Sequence, residues 1–263
     1  MTDVMRMVRT AREKCDSGIY HVILRGINRQ DIFYDNDDFQ QFLKTVGQKK
    51  TDNQYALYAY CLMSNHVHLL IRENTDNISR IMSRIGSSYA WWYNQKYDRS
   101  GHVFQGRYGS ECVEDNSYLL TVMRYIHNNP VKAGMVRAPE KYKWSSMQAY
   151  YSGREYPVKL TDTDFILGII HVERSKAVDR LREFMGQEND DKCLEDEIHK
   201  RKSDGEVKTE IETLMNGELI GKLQGMEKAQ RNEILRKIKE SEGVTLRQIA
   251  RVTGLSLNIV YSA

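Results

Sequence analysis

The sequence predicts an α+β protein, an antiparallel sheet with helices packed on it, followed by an α-helical C-terminal region. Three observations predict it. Between Gly18 and Gly134, β-rich runs and amphipathic stretches follow one another in the order β-α-β-β-α-β-α. The two central strands are separated only by Ser64-Asn65, a connection short enough for a hairpin and too short for a parallel crossover. Beyond about residue 163 the strand pattern gives way to helical spacing and dense charge.

Tyr20 to Arg25 is β-rich and bounded by Gly18 and Gly26, so it reads as the first strand. Asp35 to Lys49 places Phe39, Phe42, Leu43 and Val46 on one helical face. Two strands follow, Gln54 to Met63 and His66 to Arg72. A helix starting near Asp76 or Asn77 aligns Ile78, Ile81, Met82, Ile85, Tyr89 and Trp92. A short strand near Tyr108 to Val113 precedes a helix that Asp115 or Asn116 caps and that carries Leu119, Val122, Met123 and Ile126, with Pro130 marking its end.

Residues 141–162 read as a trailing arm, rich in aromatic residues but without periodicity. Phe165 to Asn189 is helical in pattern, and Asp190 to Glu218 is charged, as a linker or solvated helix is. Lys228 to Glu240 has Ile234, Leu235 and Ile238 at helical spacing. Thr245 to Ser256 resembles a helix-turn-helix, with Ala250 where the first helix packs closely, Gly254 at the turn and Ser256 capping the second helix. A small helical hairpin without a DNA role is the plainer alternative. The second helix has barely two turns before Ala263, which leaves the module's completeness open. The expected domains are 1–152, catalytic; 153–225, a linker and helical extension; and 226–263, the helix-turn-helix-like region.

At 263 residues the chain can bury a full core with an appendage. Its net charge of +3 and pI near 8.5 are only mildly basic, so composition by itself does not announce a nucleic-acid partner. Cys15, Cys61, Cys112 and Cys193 lack the paired spacing of a zinc module, and the N-terminus has no apolar signal segment, so the expectation is reduced thiols in a cytoplasmic, bacterial protein. No apolar run approaches the length of a membrane span, and the mean hydropathy of -0.63 agrees.

The chemistry-bearing residues fall in two clusters. His66 and His68 are separated by one apolar residue on a strand, so both imidazoles face the same side while Val67 enters the core. Two neutral imidazoles on a rigid sheet can bind a divalent cation and leave positions open for a substrate oxygen. Such pairs are more often ordinary surface or hydrogen-bonded histidines, so a second cluster must support the reading. In Arg124-Tyr125-Ile126-His127-Asn128-Asn129-Pro130, Tyr125 and Asn129 lie four apart and share a helix face, presenting a phenol and an amide oxygen together.

A sheet-borne histidine pair with a helix-borne tyrosine resembles the HUH class of single-strand DNA nucleases. Among them the chain is most similar to the REP-associated tyrosine transposases, through Gly18-Ile19-Tyr20-His21-Val22, Arg25-Gly26, Met63-Ser64-Asn65-His66-Val67-His68, Gly101-His102-Val103-Phe104-Gln105-Gly106-Arg107-Tyr108 and Tyr125-Ile126-His127-Asn128-Asn129-Pro130-Val131-Lys132-Ala133-Gly134. The resemblance spans roughly residues 15–152 and implies a ferredoxin-like or RRM-like sheet. It also implies metal-dependent cleavage and rejoining of single-stranded DNA at hairpin-forming palindromic repeats. Tyr125 would be the nucleophile of a 5′-phosphotyrosine intermediate. His66, His68 and Asn129 would hold Mg²⁺ or Mn²⁺, the hard oxygen ligand and phosphate oxygens favouring these ions.

Tyr118 competes with Tyr125, because seven residues return it to the same face about 10 Å along the axis. His127 reads as structural or phosphate-contacting, and His21 and His102 as motif residues with a structural role at least as well supported. Arg25, Arg29, Arg72, Arg107 and Arg124 are candidate phosphate contacts, with Arg247 and Arg251 in the C-terminal region. Trp91, Trp92, Tyr93 and Phe104 are candidates for base stacking, against core packing, which is preferred for Trp92. The expected partners are single-stranded or hairpin DNA, and duplex DNA through the C-terminal region, with the chain a monomer or homodimer. The competing functions are a sequence-specific DNA-binding regulator with a vestigial centre, a metallonuclease using water, and an RNA-binding domain. The last lacks the aromatic strand consensus such a domain needs.

Overall fold

A computed structural model describes residues 14–50, 53–191, 193, 202, 204–241 and 243–263. Within the charged Asp190 to Glu218 stretch, residues 192, 194–201 and 203 lie outside the described residues. The chain divides into two compact units, Met1–Leu194 and Glu195–Ala263, so neither sequence-derived boundary, 152 or 225, coincides with the division.

The first unit is built on a four-stranded antiparallel sheet, β1 (Ile19–Arg25), β2 (Tyr55–Leu62), β3 (His66–Glu73) and β4 (Gly109–Cys112), in the order β2-β3-β1-β4. Register fixes what each face carries. Arg25 opposes His66, Ile23 opposes His68, His21 opposes Leu70 and Glu111 opposes His21, so these side chains share one face. The other face carries Val22, Leu24, Val67, Leu69 and Ile71, all buried. A one-residue slip would send both histidines into that apolar layer.

The first helix, α1 (Asn36–Gln48), begins at a capping box in which Asp35 accepts from the amide of Asp38 while the Asp38 carboxylate accepts from that of Asp35. The second, α2 (Ile78–Lys96), is capped by Asn77, which accepts from the Arg80 amide. It packs on α1 and β3 with Ile81, Met82, Ile85, Tyr89 and Tyr93 buried, and thereby closes the apolar side of the sheet.

The third helix, α3 (Asn116–Lys132), is capped by Asp115 and packs on β2 and β3 from the histidine side. Pro130 does not end it, contrary to the sequence reading. A proline in the last turn forfeits one hydrogen bond, and the chain still closes through the Ala133 amide to Asn129 and the Met135 amide to Pro130.

Residues 141–162 are not a trailing arm. Trp144 stacks on Phe39 at 4.6 Å, the Leu62 amide donates to the Trp144 carbonyl, and the Tyr142 and Tyr150 hydroxyls donate to the carbonyls of Leu62 and Tyr58. The segment, with the short helix α4 (Met147–Ser152), covers the outer edge of β2, whose backbone groups would otherwise invite pairing with another chain. The predicted helix over 165–189 is two, α5 (Thr163–Ile170) and α6 (Arg174–Gly186), with Ile166, Leu167, Ala177 and Leu181 in the same core.

The second unit comprises α7 (Asp204–Leu214), α8 (Lys228–Glu240), α9 (Leu246–Thr253) and α10 (Leu257–Ser262). Val207, Ile211, Leu235, Ile238, Ile249 and Val260 form its separate core, so the charged 204–214 stretch is amphipathic, not merely solvated. Thr245 and Ser256 cap α9 and α10, and between the two helices Gly254 is left-handed at φ 70°, where a Cβ would collide with the Gln224 amide. That is the helix-turn-helix geometry read from the sequence. No described helix is long and apolar enough to cross a membrane.

Candidate active site

The site lies where α3 crosses the polar face of the sheet. His68 is fully buried and His66 partly so, at the N-terminal end of β3. Their rings stand 5.0 Å apart and nearly perpendicular, so they converge instead of stacking. His66 Nδ1 meets the Asn65 side-chain oxygen at 2.6 Å, and His68 Nδ1 meets His21 Nε2 at 3.0 Å. Both hydrogen bonds are made at Nδ1, so Nε2 is the nitrogen through which each ring could hold a cation.

Tyr125 sits two turns into α3, 4% exposed, with its ring 6.0 Å from that of His68 and 6.1 Å from that of His21, edge-on to both. Lys132, seven residues on, holds its ammonium 4.9 Å from the centre of the Tyr125 ring. Asn129 is half-buried one turn beyond Tyr125, and its amide nitrogen donates to the Tyr125 carbonyl at 3.2 Å. The ligand-capable end of Asn129 is therefore its amide oxygen. Two imidazole nitrogens, an amide oxygen and a phenol are donor types that would together suit a divalent cation that also accepts phosphate oxygens.

Tyr118 is placed differently. Its hydroxyl donates to Glu111 at 3.1 Å, and burial with the nearby carboxylate pushes the phenol above its ordinary range. Glu111 reaches on to His21 Nδ1 at 2.5 Å. Sequence reasoning left His21 undecided and overlooked Glu111 and Lys132. Lys132 was detectable as the second turn beyond Tyr125, whereas Glu111 depends on strand pairing that no local spacing reports.

His127 is fully buried between the Met123 carbonyl and the Ser146 hydroxyl, each at 2.8 Å, so it is structural and does not reach phosphate. His102 is exposed. Arg124 also departs from the expectation: it is buried, bidentate with Asp191 at 2.7 and 2.9 Å and stacked on Phe184 at 4.1 Å. Its guanidinium serves the fold, tying α3 to the segment after α6.

Arg29, Arg72 and Arg107 are exposed, and Arg25 is half-buried beside His66. Next to Arg25, Gly26 approaches the Gln30 carbonyl so closely that any Cβ would strike backbone. Among the stacking candidates Trp91 is 68% exposed, whereas Tyr93 and Phe104 are core and Trp92 is half-buried against Tyr89. In the second unit Arg247 and Arg251 are exposed, and Arg251 is engaged by Asp204 at 2.6 Å. A second metal-capable group, Cys15, Cys112 and Glu114, has ligand atoms within 4.8 Å of one another but lies on the other side of the strand pair. There Cys15 Sγ donates to the Ile19 carbonyl, and Glu114 accepts from the amides of Asp16 and Ser17.

The histidine pair, Tyr125, Asn129 and the strand that precedes their helix all fall within residues 14–129, the segment matched by the family described as IS200-like transposases. Residues 14–129 are an IS200-like transposase domain. The family matched over these residues and the curated relative described next are tyrosine transposases, an enzyme class that cleaves DNA. A Haemophilus influenzae protein named as a REP-associated tyrosine transposase is 26% identical over 136 residues, covering 47% of this chain and 77% of the relative. A REP-associated tyrosine transposase bound to a REP hairpin is structurally similar at TM-score 0.48 and 18% identity, over 60% of this chain and 96% of that one. A transposase-named protein from Deinococcus radiodurans is similar at TM-score 0.33 and 18% identity, over 46% of this chain and 96% of that one.

Proposed function

We propose that this transposase cleaves and rejoins single-stranded DNA at hairpin-forming palindromic repeats, with Tyr125 as nucleophile and His66, His68 and Asn129 holding Mg²⁺ or Mn²⁺. The observation that carries the reading is the Tyr125 ring 6.0 Å from His68, over the one sheet face that bears both histidines. When bound, the ion would polarise the scissile phosphate and offset the charge that develops on it.

The chain's own residues supply the rest. The Tyr125 phenol gives up its proton and forms the bond to phosphorus through its oxygen as the P–O3′ bond breaks, and the departing O3′ takes up one proton, so the step is proton-neutral. The products are a 5′-phosphotyrosine and a 3′-hydroxyl, which preserves bond energy for rejoining. Lys132 favours the phenolate by its charge. Arg25, Arg29, Arg72 and Arg107 are the phosphate contacts of the reading, and Trp91 the base-stacking platform. The REP-associated name of the relative supports REP sequences as substrate.

The helix-turn-helix geometry of the second unit favours an added duplex-DNA contact through Arg247 and Arg251, and it is the feature that keeps a purely regulatory role in view. Incubation of Tyr125→Phe with a hairpin oligonucleotide separates the two. The enzyme reading expects loss of cleavage with hairpin binding retained. Unchanged cleavage would assign the nucleophile elsewhere, and absence of cleavage in the unaltered protein with Mg²⁺ or Mn²⁺ would favour the regulator.

A further inference from the structure

We propose that Glu111 and His21 are positioning residues for the metal centre: Glu111 sets the tautomer of His21, and His21 sets which nitrogen of His68 faces the cation. The inference rests on the reading of His66 and His68 as ligands and extends it to the two residues that stand behind His68.

The argument follows protons along one line of contacts. A carboxylate only accepts hydrogen bonds, so at 2.5 Å from Glu111 Oε1 the His21 Nδ1 carries the hydrogen. A neutral imidazole has a single N–H, and His21 Nε2 is therefore an acceptor. The proton in the 3.0 Å contact between the rings then belongs to His68 Nδ1, and the lone pair of His68 is at Nε2. The two rings lie 5.3 Å apart and within 21° of parallel, an arrangement that keeps the facing nitrogens in line.

The relay is anchored at its carboxylate end and shielded from water at its two histidines. Tyr118 donates to the second Glu111 oxygen at 3.1 Å, which holds the carboxylate against rotation. His21 and His68 have no exposure to water, so no solvent molecule competes for these hydrogens. Ligating histidines owe ring orientation and basicity to the acceptor behind them, and removal of such an acceptor typically weakens metal binding ~10–100-fold. Here a second imidazole stands between carboxylate and ligand. On the His66 side the group at Nδ1 is the neutral Asn65 amide oxygen, and the carboxylate relay described here runs through His68.

Mn²⁺ titration of the full-length protein, read by electron paramagnetic resonance, tests this on two substitutions of one residue. His21→Phe keeps ring bulk and removes the acceptor; His21→Gln loses the ring and keeps an amide oxygen able to accept from His68. A positioning role predicts Mn²⁺ binding weakened ~10–100-fold in His21→Phe, several-fold in Glu111→Gln, and least in His21→Gln. A packing role predicts the reverse order for the two His21 variants. In the metal-free unaltered protein, ¹⁵N NMR is expected to show His68 protonated at Nδ1. Protonation at Nε2, or Mn²⁺ affinity unchanged in a folded His21→Phe, overturns the proposal. His66→Ala is the control. Unchanged affinity there means the ligand reading itself fails, whereas weakened binding there with unchanged binding in His21→Phe and Glu111→Gln removes only the positioning role.

Discussion

Tyr118 donates its hydroxyl to Glu111 at 3.1 Å, and Glu111 is the carboxylate that also holds His21. The two tyrosines on one face of α3 are thereby separated by chemistry. Tyr125 is edge-on to the histidine rings beneath the Lys132 ammonium, whereas deprotonating Tyr118 would set a phenolate against a carboxylate. Tyr118→Phe is expected to keep cleavage of a hairpin oligonucleotide at saturating Mn²⁺ while losing about 2 kcal/mol of stability for one hydrogen bond to a charged acceptor. Paired denaturation curves and cleavage rates check both halves. Loss of cleavage with the fold intact would return Tyr118 to candidacy.

The Arg124–Asp191 pair carries the next prediction. Both side chains are largely buried, so removing the guanidinium leaves a buried carboxylate without its partner. Arg124→Ala is expected to lower stability by roughly 3 kcal/mol, while the salt dependence of DNA binding stays as it was. Arg107→Ala, an exposed position, is expected to do the opposite: little change in stability and a salt slope reduced by about one unit. Equal salt effects in the two variants would place Arg124 on the DNA path after all.

What could be read from the sequence was local. The strands announced themselves through alternation and bounding glycines, α1 and α2 through Asp35 and Asn77, the histidine face through period two, and the helix-turn-helix through Thr245, Gly254 and Ser256. Each signal lies within one element or at its end. Pro130 misled because a proline is tolerated in a last turn that other amides close. The 141–162 segment has no periodicity, since it packs through single aromatic anchors on a strand edge instead of through one face. Glu111 to His21 and Arg124 to Asp191 are 90 and 67 residues apart, and only the folded register joins them.

His127 makes a pH prediction. Burial pulls its imidazole down to about 4, the Met123 carbonyl offsetting only part of the effect, against an ordinary value of 6.5 in the unfolded chain. Between those values the unfolded chain binds a proton that the folded chain does not. The folded state therefore keeps its full stability above about pH 6.5 and loses it as pH falls toward 4, by roughly 3 kcal/mol in all. His127→Gln, denatured in chelator at pH 7 and pH 4.5, is expected to lose less stability between the two than the unaltered protein. Parallel losses would mean that His127 is not the residue responsible.

The division between the units decides where a truncation should fall. Removing everything after residue 163 would strip away α5 and α6, which belong to the first core, and is expected to destabilise the catalytic unit. Ending the chain at Leu194 preserves that core and all of His66, His68, Tyr125 and Asn129. The shortened protein is expected to cleave single-stranded hairpin substrate in a metal-dependent manner, and to bind duplex DNA more weakly with a salt slope lower by about one unit for each lost arginine contact. Identical duplex affinity and slope with and without the second unit would leave it a structural or regulatory part; faster cleavage on its removal would make it a restraint.

The account's central claim is that Tyr125 becomes covalently joined to DNA. Its most direct measurement is peptide mapping of the denaturation-resistant adduct formed on a hairpin oligonucleotide with Mg²⁺ or Mn²⁺. The predicted result is a 5′-phosphorylated nucleotide on the peptide containing Tyr125, absent when His66 and His68 are both alanine. An adduct mapped to Tyr118, or metal-dependent cleavage with no adduct at any tyrosine, would contradict it.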